Sequence, residues 1–194
     1  MTSRQAILVA IPYLPSVSWF VKLRSNDAVA WHTAEITDKQ RPRNRCAIAT
    51  AQGTQMLSVP LQGGRYQKEP LCQRKPAEGN KWQREHINAI QTAYGNAPFF
   101  IHFADALFER LTHQHENLAS LNLSLIELLL GWFRYEVNVR TPDEAVHMDD
   151  NVLVEVRYPQ VFEHKTGFQP GCSAIDLLFN CGPESVVYLN RALR

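Results

Sequence analysis

Ala6-Ile7-Leu8-Val9-Ala10-Ile11-Pro12-Tyr13-Leu14-Pro15-Ser16-Val17-Ser18-Trp19-Phe20-Val21-Lys22-Leu23-Arg24 changes its period half-way. The short apolar run Ala6 to Ile11 reads as a first strand. Pro12 and Pro15 then stiffen a loop, and Val17, Phe20, Val21 and Leu23 recur at roughly helical spacing, which predicts a short helix over Ser16 to Arg24. A second strand-like run, Ala28 to Trp31, follows. The start is therefore β-loop-α-β, and the loop leaving the first strand is where α/β folds commonly place ligands.

Working outward, Cys46 to Thr50 and Met56 to Leu61 read as strands joined through Gln52-Gly53 as a hairpin. Residues 62 to 80 are rich in Gly, Pro, Gln and Lys, lack a period, and read as an exposed loop or arm. Helices follow in series. Asn80 is placed to cap one from Lys81 to about Tyr94, with Gln83 as the reciprocal cap and an apolar stripe of Trp82, Ile87, Ile90 and Ala93. Asn96 with Pro98 opens a second, whose Phe99, Phe100, Phe103, Leu107 and Leu111 repeat every three or four residues. A third is predicted from Leu118 to Leu130, stopping at Gly131. Alternating residues at Tyr135 to Val139 and Val152 to Val156 predict two strands around an acidic turn region, Asp143 to Asp150, and the last helices are expected at Ala174 to Asn180 and Glu184 to Leu193. The expectation is one mixed α/β domain over residues 1–194, a small sheet with helices packed on it.

At 194 residues and 45% hydrophobic content, the chain is large enough to bury a real core without disulfide staples. Cys46, Cys72, Cys172 and Cys181 form no Cys-x-x-Cys pair, so reduced thiols and a cytoplasmic location are expected. The run Ala6–Ile11 is too brief for a signal-peptide core, and Leu121 to Phe133, interrupted by Asn122 and Glu127, falls short of the roughly 20 residues a membrane span needs. No membrane segment is expected. Net charge is only +1, yet residues 39 to 84 hold ten Lys or Arg against two acids, whereas residues 85 to 194 hold seven against fourteen. The two parts either attract one another across the surface or the basic one forms an anion site. Without a recognition motif on a nearly neutral chain, duplex nucleic acid is not an expected partner.

Arg41, Arg43 and Arg45 alternate, so in extended chain they face one side, and Arg45 ranks first as an anion clamp because a guanidinium presents paired donors in fixed geometry. His86, one turn after Trp82, is either a hydrogen-bonded packing residue or the chain's best general acid or base. His113-Gln114-His115 lacks a third ligand, so no metal is expected, and with neither Gly-x-Gly-x-x-Gly nor a Walker loop no cofactor is expected. Near the C-terminus Ser173-Ala174-Ile175-Asp176-Leu177-Leu178-Phe179-Asn180 puts Asp176 and Asn180 one turn apart on an apolar helix, between Pro170-Gly171 and Gly182-Pro183. Asp176 at its third helical position is expected to accept helix amides, with a place in a pocket wall, beside Asn180, as the other reading.

The whole stretch Phe168 to Ser185 resembles the C-terminal signature of the WbqC-like family, bacterial proteins named after an O-antigen polysaccharide cluster. Matching pieces stand in order along the chain: Pro12-Tyr13-Leu14-Pro15 with Trp19-Phe20, Asn44-Arg45-Cys46-Ala47-Ile48, Leu57-Ser58-Val59-Pro60, Lys81-Trp82-Gln83-Arg84-Glu85-His86, Tyr94 with Ala97-Pro98-Phe99-Phe100, and Tyr158-Pro159-Gln160-Val161-Phe162. Ile11 and Ser18 depart from the Gln-Pro and Gly usual in the family, and a longer Tyr-rich segment before the Tyr-Pro-Gln motif is replaced here by Val137 to Val156. The resemblance implies a transferase or ligase-like protein acting on an anionic activated substrate, a nucleotide sugar or sugar phosphate, in surface polysaccharide biosynthesis. His86 and Asp176 are then the candidate catalytic residues, with Tyr13, Arg43, Asn44, Arg45 and Asn180 binding substrate. The other reading is a non-catalytic anion-binding or assembly protein.

Overall fold

The computed structural model describes residues 6–36, 42–63, 68–79, 81–141, 146–149 and 153–193. In chain order its elements are β1 (Ile7–Val9), α1 (Val17–Arg24), β2 (Val29–Trp31), β3 (Arg45–Thr50), β4 (Gly53–Ser58), α2 (Lys81–Tyr94), α3 (Phe100–Thr112), α4 (Leu118–Trp132), β5 (Val146–His147), α5 (Glu163–Thr166), α6 (Ala174–Cys181), a 3₁₀ turn at Gly182–Glu184, and α7 (Ser185–Arg191). β1 is the middle strand of a parallel sheet, with Ile7 opposite Val29 of β2 on one side and Val146 of β5 on the other. β3 and β4 form a separate antiparallel hairpin in which Ala47 faces Met56 and Arg45 faces Ser58. The α/β expectation holds, and so does the β-loop-α-β start.

Local chemistry explains the element ends. Ser16 caps α1, its hydroxyl accepting from Trp19 N, and Asn117 and Ser120 form a reciprocal capping box on α4. Asn80 lies outside the described residues, as do Arg41 and half of the acidic turn region. α4 is apolar almost all round and runs through the core, burying Leu118, Leu121, Leu125, Ile126 and Leu129. It continues past Gly131 to Trp132, because Phe133 is buried with its ring 5.0 Å from that of Phe20, and the left-handed residue after the helix is Arg134 (φ 51°). Gly182 is held at φ 52°, and a Cβ there would stand 2.4 Å from Phe99 Cδ1, so both backbone and space require glycine.

Two expected strands are not strands. Tyr135 to Val139 contributes one parallel bridge, Val139 to Val29, and residues 153–156 run without a ladder partner. The alternation of the second segment is satisfied differently: Val156 is buried, and Val154 N donates to Ser18 Oγ at 2.8 Å. The third sheet strand, β5, lies instead inside the region expected to be an acidic turn. The second hairpin strand ends at Ser58 rather than Leu61, since Pro60 has no N–H to continue a ladder.

Candidate functional site

The loop Pro12–Pro15 leaves β1 and turns into α1, and its placement rests on one buried amide. Asn122 of α4, fully buried, donates through Nδ2 to Ile11 O and to Arg43 O, both at 2.8 Å, while Tyr13 N donates to the same Arg43 carbonyl at 2.9 Å. The loop and the arginine segment are thus fastened side by side. Leu14 sits at φ 40°, a conformation that costs a bulky residue energy and persists only where surroundings enforce it. The loop's far end meets α6: Val17 N donates to Cys172 O, Ala174 N to Pro15 O, and Ser173 N to Ala47 O. Two helix N-termini, capped by Ser16 and Ser173, and the β3 edge therefore meet at one place.

A cleft of about 310 Å³ opens there, lined by the Pro12–Ser16 loop, Ser18, Trp19 and Lys22 of α1, Arg43, Arg45, Cys46, Ala47, Met56, Leu153, Gly171 and Ser173. Its lining carries three cations and, among the described residues, no carboxylate. Arg43 is matched by Glu35 in a two-pronged contact, Nε to Oε2 at 2.8 Å and Nη2 to Oε1 at 2.6 Å. Lys22 Nζ donates to the Asp149 carbonyl at 2.8 Å. Arg45 differs: its side chain makes no hydrogen bond or ion pair among the described residues, and its Nε is buried without a partner. Ser16, Ser18 and Ser173 each accept one backbone N–H, from Trp19, Val154 and Ile175, and none donates its hydroxyl proton among the described residues. The described lining is rich in donors and lacks an anionic acceptor.

The other sequence-derived candidates lie elsewhere. Tyr13, although its residue borders the cleft, turns its phenol into the core, where the hydroxyl lies 2.8 Å from His86 Nδ1. His86 is buried and T-stacked on Trp82, and burial lowers its pKa, opposed by the Ser58 backbone and Glu85, so the ring is neutral at pH 7. Burial and then Cys46 push the Tyr13 phenol well up. Asn44 Nδ2 donates to Val59 O at 2.7 Å and pins the end of the hairpin.

Asp176 does not cap its helix. Its fully buried carboxylate accepts from Tyr158 OH and Gln160 Nε2, both at 2.7 Å. Asn180 Nδ2 reaches back to Asp176 O at 2.7 Å and lies 3.4 Å from Oδ1. The direction of the carboxylate follows from α6 itself, buried on every side but Asn180, so the third position points into the core. Burial raises the Asp176 pKa against the hydrogen bonds that lower it. The Tyr158-Pro159-Gln160 motif and the α6 motif are therefore one unit.

Thus Arg43 and Arg45 share the cleft with the backbone of Tyr13, while His86, Asn44, Asp176 and Asn180 do not line it. Lys22 and the three serines escaped the reading of the sequence. The available signal was Ser18 and Lys22 at i and i+4 on the helix after the loop. The three buried thiols offer no nucleophile at neutral pH: burial raises Cys46, and burial with Asp176 pushes Cys172 and Cys181 up to about 12. No group of three or more His, Cys, Asp or Glu able to hold a metal occurs among the described residues, and no helix among them is long and apolar enough to cross a membrane.

Residues 12–153, which include the cleft loop, the arginine segment and the buried Asn122 clamp, match the profile of the WbqC-like protein family. The chain belongs to the WbqC-like family. It is also similar to the uncharacterized protein Rv1507c of Mycobacterium tuberculosis, 26% identical over 227 aligned positions that cover 96% of this chain and 97% of the relative. That alignment is longer than the 194-residue chain, so it opens gaps in this WbqC-like protein. The family match ends at Leu153, leaving Tyr158–Phe162 and α6 outside it. No solved structure matches the chain.

Proposed function

We propose that this WbqC-like protein binds a small oxyanion in the cleft between the Pro12–Pro15 loop and β3, with Arg45 as the principal clamp and Lys22 beside it. The observation that carries this reading is Arg45, unpaired in a lining that has no carboxylate among the described residues. A buried guanidinium nitrogen without a partner costs free energy that an incoming phosphate or carboxylate recovers through charge-assisted hydrogen bonds. The capping ends of α1 and α6 add dipoles of the same sign, and three serine hydroxyls supply further donors.

The transferase or ligase activity in surface polysaccharide biosynthesis implied by the family resemblance would use this cleft to hold the phosphate of a sugar phosphate or nucleotide sugar. Binding is the better supported part. The cleft lining brings no histidine or carboxylate to move a proton, and the one described acid-base pair near it, Tyr13 with His86, is buried and pushed away from neutrality on both members.

A thermal-shift screen with inorganic phosphate, glucose 1-phosphate, a nucleotide sugar and simple carboxylates tests the reading. A ligand present at 100 times its Kd adds about 2.7 kcal/mol of stability. Stabilisation by at least one anion that weakens with added salt is expected; none by any of them overturns the reading.

A further inference from the structure

The cleft's donors sit beside exposed apolar side chains. On β3, Cys46 and Ile48 face the core, so Arg45 and Ala47 share the other face, and the ladder puts Met56 of β4 directly opposite Ala47 on that face. Arg45 and Met56 are thereby diagonal neighbours on one surface. Met56 is 56% exposed and Leu153 is 54% exposed, each among the few large apolar residues left open to solvent, and both line the cleft that holds Arg45. Leu153 is seated against Gly171, its Cδ1 3.9 Å from where a Cβ would stand. Pro12, Leu14 and Pro15 add to the apolar lining.

Size and charge restrict what fits. At about 310 Å³ the cleft lies at the small end of ligand sites, which run to ~1,000 Å³. A tetrahedral oxyanion fills only part of it. The remainder borders Met56, Leu153 and the prolines, surfaces that gain nothing from a sugar's hydroxyls and gain from carbon.

Resting on the anion reading above, we infer that the ligand is an amphipathic oxyanion: one phosphate or carboxylate head held by Arg45 and Lys22, carrying a short apolar group that covers Met56 and Leu153. Both side chains are more than half exposed, so polar replacements leave the fold intact.

Calorimetric titration of inorganic phosphate, butyl phosphate, butyrate, glucose 1-phosphate and butanol into the full chain tests this. Each fully covered methylene multiplies affinity about fourfold, so butyl phosphate is expected at least tenfold tighter than inorganic phosphate, with glucose 1-phosphate no tighter than phosphate and butanol not binding. The comparison with butyrate says which head is preferred. Met56→Ser and Leu153→Ser each remove part of the butyl increment and leave phosphate affinity unchanged, whereas Arg45→Gln weakens every anion. Phosphate binding that is indifferent to chain length, or glucose 1-phosphate outdoing butyl phosphate, overturns the amphipathic inference alone. Failure of every anion to bind overturns the anion reading itself.

Discussion

The Tyr158 hydroxyl donates to Asp176 Oδ2 at 2.7 Å, across 18 residues of chain, with both side chains buried. Together with Gln160 it satisfies a carboxylate that has no cation in its hydrogen-bond shell among the described residues. Burial of a carboxylate is tolerable only with such donors, so the pair holds α6 to the chain that precedes it. α6 in turn forms one wall of the cleft through its cap, Ser173.

Tyr158→Phe removes one donor to that carboxylate and is expected to cost roughly 1–3 kcal/mol. At about 2–4 °C per kcal/mol for a chain of this size, Tm falls by several degrees. Asp176→Ala costs more, because it leaves both Tyr158 and Gln160 short of an acceptor and opens a cavity. Urea denaturation of both variants checks the order, and equal costs would place the Tyr158 contact outside the energetics of Asp176.

The pH dependence of Asp176 has a definite sign. Its folded pKa is raised above 3.8, so the native state keeps its proton longer than the unfolded chain as pH rises. Its stabilising contribution is complete below the unfolded pKa and is lost as pH climbs through the folded one. Asp176→Asn removes this dependence, so the stability of wild type relative to Asp176→Asn is expected to decline from acid pH upward through that window. Urea midpoints across the acid range measure the difference, and a flat difference contradicts the assignment.

His86 runs the other way. Burial lowers its folded pKa below 6.5, so the unfolded chain takes up the proton first as pH falls and stability is lost below about 6.5. Wild type is expected to lose more stability than His86→Gln between pH 6.5 and 5.5, and the same above 7. Parallel curves would mean that the ring is accessible to solvent.

Gly182→Ala is expected to cost about 1–3 kcal/mol, since a Cβ there meets the Phe99 ring at 2.4 Å. Gly167, at φ 71° with nothing within 4 Å of a Cβ, supplies the comparison: Gly167→Ala carries only the backbone strain. Thermal melts of the two separate the steric part from the conformational part.

Much of this was legible in residue order. The change of period at Pro12 announced β1 and α1, and the stripes of α2 and α3 and the apolar length of α4 were readable because each buries a face at helical spacing. β5 was not readable, because two exposed residues in an acidic stretch carry no alternation to detect. Val154 and Val156 misled for the opposite reason: their alternation reflects packing beside Ser18 rather than a sheet neighbour. At the site, Arg45 could be named from its residue type and row, but Lys22, Ser16, Ser18 and Ser173 reach the cleft only through tertiary contacts between α1, α6 and β3. Asp176 shows the limit most clearly. Local rules for a third helical position favour a cap, and the burial of α6 sends the carboxylate inward instead.

The central claim is that Arg45 awaits an anion. Calorimetric titration of inorganic phosphate at low ionic strength into wild type and Arg45→Gln, with Tm checked for both, tests it most directly. Saturable one-site binding by wild type, weakened at least tenfold in a variant that melts no lower, is the predicted result. Equal affinities in the two proteins, or no binding to wild type, would contradict it.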